Sequence, residues 1–153
     1  MAFIIFRFAR TKNHEAGQAL VETALLIPLL TTLLIGTAEM ARVAYAAIEV
    51  ANAAHAGAQY GTQNGYTASD TTGISNAATI DAANLTGLTT TSSYACICSD
   101  GSASTCQPTD CANSHIEQTL TVNTQATIDP IIHLPGLPTT YTVKGQAIQK
   151  CAQ

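Results

Sequence analysis

Hydrophobic and polar residues fall along this chain in three regimes, and each predicts a different element. From Ala19 to Ala38 the sequence reads ALVETALLIPLLTTLLIGTA, apolar apart from Glu22 and a few threonines. Coiled as a helix, this run covers about 30 Å, the thickness of a bilayer's hydrocarbon core. A single membrane-spanning helix is predicted, kinked or locally melted at Pro28. Past Met40 the pattern changes: Val43, Ala44, Ala47, Ile48, Ala51, Ala54 and Ala58 recur at the three-and-four spacing of one helical face. Glu39, Arg42, Glu49, Asn52 and Gln59 take other faces, with Glu39 and Arg42 spaced to pair. Alanine supplies ten of the 21 residues from Ala38 to Ala58, so the predicted helix over 18–60 carries a thin ridge beyond the membrane. That ridge needs a partner, either the protein's own C-terminal sheet or the same helix in another subunit.

The third regime begins after Gly61, where the composition turns to Thr, Ser, Asn, Gly and Asp. Residues 61–93 read as a linker with a turn at Asn64-Gly65 and a short helix from Ile74 to Leu85, capped by Asp70 or Thr72. Residues 94–153 read as a β-rich domain. His115 to Ile128 alternates, with Ile116, Leu120, Val122, Ala126 and Ile128 on one face and Glu117, Thr119, Thr121, Asn123, Gln125 and Thr127 on the other. Tyr94–Cys98 and Tyr141–Ile148 are further strands, separated from the long one by turns that include the proline-rich IDPIIHLPGLP. The fold class is α+β: a long N-terminal helix, then a small antiparallel sheet of three or four strands.

Charge orients the helix. Arg7, Arg10 and Lys12, half of the six Lys and Arg residues, precede the apolar run, and none lies within it. This asymmetry keeps the N-terminus cytoplasmic and sends the rest across the membrane. Residues 1–17 therefore form a basic leader. A carboxylate near the cytoplasmic end of a span is a candidate functional group, which singles out Glu22.

The string GQALVETALLIPLL and the downstream GTAEMARVAYAAIEVANAAHAGAQYG resemble TadE-like proteins, pilin-like components of tight-adherence (Tad) pilus systems. The resemblance implies a pilin-like fold and cleavage by a prepilin peptidase after Gly17, leaving Gln18 as the new N-terminus and Glu22 one helical turn away. Glu22 would then pair with the terminal amine of a neighbouring subunit and set its register. One position departs from the pattern, since Thr23 stands where Tad prepilins commonly carry an aromatic residue. The implied partners are the prepilin peptidase, other pilin-like subunits, the Tad assembly machinery and the bacterial inner membrane. The C-terminal domain would be periplasmic or extracellular, with incorporation in a surface pilus as a further expectation. A rival reading uses the small residues Gly36-Thr37-Ala38 as an ordinary signal-peptidase site, with a secreted domain starting at Glu39.

All five cysteines lie in the outer region: Cys96, Cys98, Cys106, Cys111 and Cys151. Cys96 and Cys98, two apart on a strand, share a face and are poorly placed to bond each other, so each is expected to pair with Cys106 or Cys111 in an order left open. Cys151 is the odd one, either unpaired or in an intermolecular bridge. The alternative is a metal site, C-x-C-x7-C-x4-C with His115 nearby, which lacks the paired C-x2-C knuckles of ordinary zinc sites. No metal and no cofactor is expected.

After cleavage only Arg42, Lys144 and Lys150 would oppose nine acids, which excludes nucleic acid as a partner. His14, His55, His115 and His133 sit in no catalytic motif, so the chain is expected not to be an enzyme. The expected function is pilus assembly, or adhesion as a minor subunit. The alternative is a membrane-anchored or secreted binding domain that does not polymerise, recognising its target through the disulfide-tied loop.

Overall fold

The computed structural model describes residues 14–107, 109–133, 136 and 138–151. Arg7, Arg10 and Lys12, with the rest of residues 1–13 of the expected leader, lie outside the described residues. The chain divides after Ala38 into two compact units, and the first helix, α1 (His14–Gly61), passes through that division.

In the first unit every residue from Gly17 to Ala38 is exposed. Leu25 and Leu34, for example, are 73% and 68% accessible. A helix that is apolar on all sides is consistent with a membrane anchor. Its polar side chains suit that setting, because the hydroxyls of Thr23, Thr31, Thr32 and Thr37 donate back to the carbonyls of Ala19, Pro28, Leu29 and Leu34 at 2.8–2.9 Å. Pro28 lies inside the helix without interrupting it, and no local melting accompanies it.

The second unit contains α2 (Gly65–Ser69), α3 (Thr71–Asp81), β1 (Thr89–Cys98), β2 (Ala103–Ser104), β3 (Ile116–Ile128) and β4 (Tyr141–Lys150). The strands form one antiparallel sheet in the order β2-β1-β3-β4. Several boundaries differ from those expected. Asn64 starts a helix and not a turn: its Oδ1 accepts from the amides of Tyr66 and Thr67, while Thr67 Oγ1 accepts from the Asn64 amide at 3.1 Å. Asp70 caps α3 by accepting from Gly73 N at 2.9 Å, so the helix opens before Ile74; it closes at Asp81, short of Leu85. β1 begins at Thr89, ahead of Tyr94, because Thr89–Ser93 pair with Gln125–Thr121 of β3. The segment 61–93 thus carries two helices and half of a strand.

The outer part of α1 and α3 cover one face of the sheet. Leu120, Val122, Thr124 and Ala126 of β3 are buried, whereas Asn123, Gln125 and Thr127 are exposed. Ala54 and Ala58 of α1 pack with Ile74, Leu120, Val122 and Ala147; Ala46 and Val50 pack with Ala126 and Val143. The buried ridge is therefore Ala46-Val50-Ala53-Ala54-Ala58, rotated from the stripe that spacing predicts, and Ile48 is exposed. Its partner is the protein's own sheet. Gly57 and Gly61 deepen the contact, since a Cβ at Gly61 would lie 2.3 Å from Leu120 Cδ2.

Candidate functional site

Two places hold the residues that the sequence singles out, one in each unit. At the start of α1, Gly17 and Gln18 are adjacent and Glu22 lies one turn further on. Gln18 Nε2 donates to Glu22 Oε1 at 3.2 Å, and both side chains are exposed. This bond puts residue 18 and the carboxylate on the same face of the helix, the i, i+4 relation that an amine at residue 18 would use. A Cβ added to Gly17 would meet nothing within 4 Å, so packing does not require glycine here. The helix begins upstream of it, at His14, so Gly17 is itself helical.

The second place is the segment joining β1 to β3. Cys96 bonds Cys106 and Cys98 bonds Cys111, which fixes the order left open by spacing and commits to disulfides the sulfurs a metal would need. Cys96 and Cys98 are both buried, on the same face of β1 as alternation requires. Among the described residues, no group of three His, Cys, Asp or Glu side chains could hold a metal ion. Within the loop, Asp110 Oδ2 accepts from Thr105 Oγ1 at 2.8 Å, Thr105 N at 2.6 Å, Ser104 Oγ at 3.1 Å and Gln107 N at 3.3 Å. These bonds, led by the Thr105 hydroxyl, hold its carboxyl below the ordinary carboxylate range. The loop is thus tied by two disulfides and cross-braced at one carboxylate.

The antiparallel run of α1 against β3 locates this loop in its unit. Leu120 lies against Gly61, while Ile128 packs with the cluster that also takes Val43. The cysteine loop, joined to the start of β3, therefore lies at the end of the domain opposite Glu39, about 40 Å along the strand. Beside it, Lys150 Nζ donates to Glu117 Oε2 at 2.6 Å, and Lys150 lowers the Glu117 pKa.

Cys151 is a free thiol, and it is buried with Leu120 and Ile74. Burial pushes its pKa up, the behaviour of a packing cysteine and the opposite of a reactive one. Within this chain the thiol is unpaired. The wet sheet face carries a shallow depression of about 480 Å³ lined by Thr89, Thr91, Asn123, Gln125, Lys144 and Gln146, uncharged apart from the lysine. Sequence reasoning passed over the Asp110 brace and the role of Thr124; the second was visible, because Thr124 occupies the buried phase of the β3 alternation.

The family model described as TadE-like protein matches residues 17–59. The match takes in Gly17, Gln18, Glu22 and the alanine-rich ridge and stops before the cysteine-bearing sheet. The resemblance carried by GQALVETALLIPLL and the segment after it thus stands over the helix. No curated protein and no solved structure matches the chain.

Proposed function

Because residues 17–59 of this chain are TadE-like, we propose that it is a minor pilin-like component of a Tad pilus system, an assembly part and not an enzyme. A prepilin peptidase removes the leader after Gly17, and the processed helix stays in the inner membrane until the subunit joins the pilus or acts at its base. The observation that carries this reading is the wholly exposed apolar helix from Gly17 to Ala38 headed by Gln18 and Glu22. Gly17 adds support: a glycine that packing does not require suits recognition by a protease, which needs close access to the backbone.

After cleavage, the ammonium at Gln18 and the Glu22 carboxylate each need an opposite charge in a low-dielectric assembly. A neighbouring subunit supplies both. The domain beyond the membrane then presents its disulfide-tied loop at the end away from Glu39, where an adhesive contact would be made. The two disulfides of that loop also suit the alternative, a binding domain that does not polymerise.

Intact mass and terminal peptide mapping of the membrane and sheared-filament fractions test the proposal. A start at Gln18 is expected. A start at Glu39 would identify a secreted domain, and one at Met1 a permanent anchor; either overturns it. Glu22→Ala is expected to leave processing intact and abolish the filament-fraction signal, and normal filaments in that variant would remove the register role.

A further inference from the structure

The turn leaving β3 carries two large apolar side chains into the open: Ile131 is 62% exposed and Ile132 39%. Its position on α1 is fixed by a hydrogen bond, since the Ile131 amide donates to Glu39 Oε2 at 3.2 Å. Glu39 follows Ala38, the last residue of the apolar run that suits a bilayer. One turn further on, Val43 and Ile128 join the same apolar cluster, so the end of β3 and the start of the outer helix lie at one level. Arg42 stands beside them with its guanidinium 3.4 Å from Glu39 Oε2 and about half of the side chain exposed. Tyr45 follows, 58% exposed. An arginine and a tyrosine just past a span are the residues that settle at headgroup depth.

We infer that the Asp129–His133 turn is a second membrane contact, with Ile131 and Ile132 seated at the headgroup and acyl boundary of the leaflet from which α1 emerges. This rests on the reading of α1 as a membrane helix. The occupant is a lipid surface, argued from continuity with that span. Irregular backbone enters such a layer only where its polar groups are satisfied. Here Pro130 has no amide to satisfy and the Ile131 amide is already held by Glu39. Asp129 is exposed at the turn's start and marks the depth limit, since its carboxylate stays in the headgroup water. The contact gives the domain a second tether to the bilayer, next in the chain to the end of the span.

The chain has no tryptophan, so a single introduced indole reports without background. The full chain is reconstituted in phosphatidylcholine vesicles, with or without acyl-chain bromine, as three variants: Ile131→Trp, Leu30→Trp in the span, and Ile148→Trp on the wet sheet face. For I131W we expect blue-shifted emission that loses about half its intensity with shallow bromines, while L30W is quenched by deep bromines and I148W is unaffected. Unquenched, red-emitting I131W alongside quenched L30W overturns the contact and leaves the membrane helix standing. Unquenched L30W overturns the membrane reading itself. Blue-shifted but unquenched emission from I131W that reverts on dilution assigns the turn to a second copy and also overturns the lipid contact. Equal quenching of I148W shows general adsorption of the domain, with the same consequence.

Discussion

Thr124 Oγ1, on the buried face of β3, donates a 2.7 Å hydrogen bond to the main-chain carbonyl of Val50 in α1. The residue is 2% exposed, and a hydroxyl at such a site costs stability unless it is bonded. Helix carbonyls retain a free lone pair, so the bond joins helix to sheet without breaking the helical ladder. Thr124→Val keeps the shape and removes the bond. It is expected to lower unfolding stability by about 1 kcal/mol in detergent-solubilised protein. A denaturant midpoint equal to that of the unmodified chain would show that the bond contributes nothing.

Gly145 makes the same helix contact from β4. A Cβ there would lie 2.6 Å from Val50 O and 2.8 Å from Ala51 Cα, and these are backbone atoms that cannot swing away. Gly145→Ala should therefore push α1 off the sheet and cost roughly 1–3 kcal/mol. The control is Gly65→Ala, where the added carbon meets nothing within 4 Å. Equal thermal midpoints for the two variants would refute the tight fit.

Which features were legible follows from how each residue is held. The apolar run and the alternation of β3 were readable because each follows one simple pattern, apolar on every side of a helix or apolar on one face of a sheet. The ridge of α1 was not: with alanine on nearly every face, several stripes have similar hydrophobicity, and the close approach is made at glycines, Gly57 and Gly61 of α1 against Ile74, Val122 and Leu120, and Gly145 of β4 against Val50 and Ala51. β1 was half hidden because Thr89–Ser93 are polar and gain their strand conformation from β3, not from their own pattern. The four loop cysteines announced disulfides, yet their order depends on the path of Cys106, whose φ of 70° turns the chain in a way that spacing does not encode.

The cysteines give a chemical test. Each disulfide closes a short loop, with sequence separations of 10 and 13, and loop entropy places the contribution of such a bond at about 3 kcal/mol. The Cys98→Ala/Cys111→Ala double variant should unfold at lower denaturant concentration and admit proteases between Ser99 and His115. Peptide mapping of the unmodified protein should find Cys96 with Cys106 and Cys98 with Cys111. Cys151 should resist alkylation until denaturant is added, and rapid labelling of the native protein would contradict its burial.

Acid should unfold the outer domain through its braced carboxylates. Asp70 is held below the ordinary carboxylate range by the Gly73 amide and then by the Tyr60 hydroxyl, Asp100 by Ser102, Asp110 by Thr105 and Glu117 by Lys150. A carboxyl with a depressed folded pKa stabilises the fold fully above its unfolded value, about pH 4, and that contribution disappears as the pH falls through the folded value. The thermal midpoint should thus be level from neutrality to about pH 5 and decline below it. Asp70→Asn keeps an acceptor for Gly73 N but removes the charge, so its midpoint should lie below that of the unmodified chain at pH 7 and converge with it in acid. A difference that stays constant across the range would mean that ionisation of Asp70 plays no part, and that the variant loses only the bond donated by the Tyr60 hydroxyl.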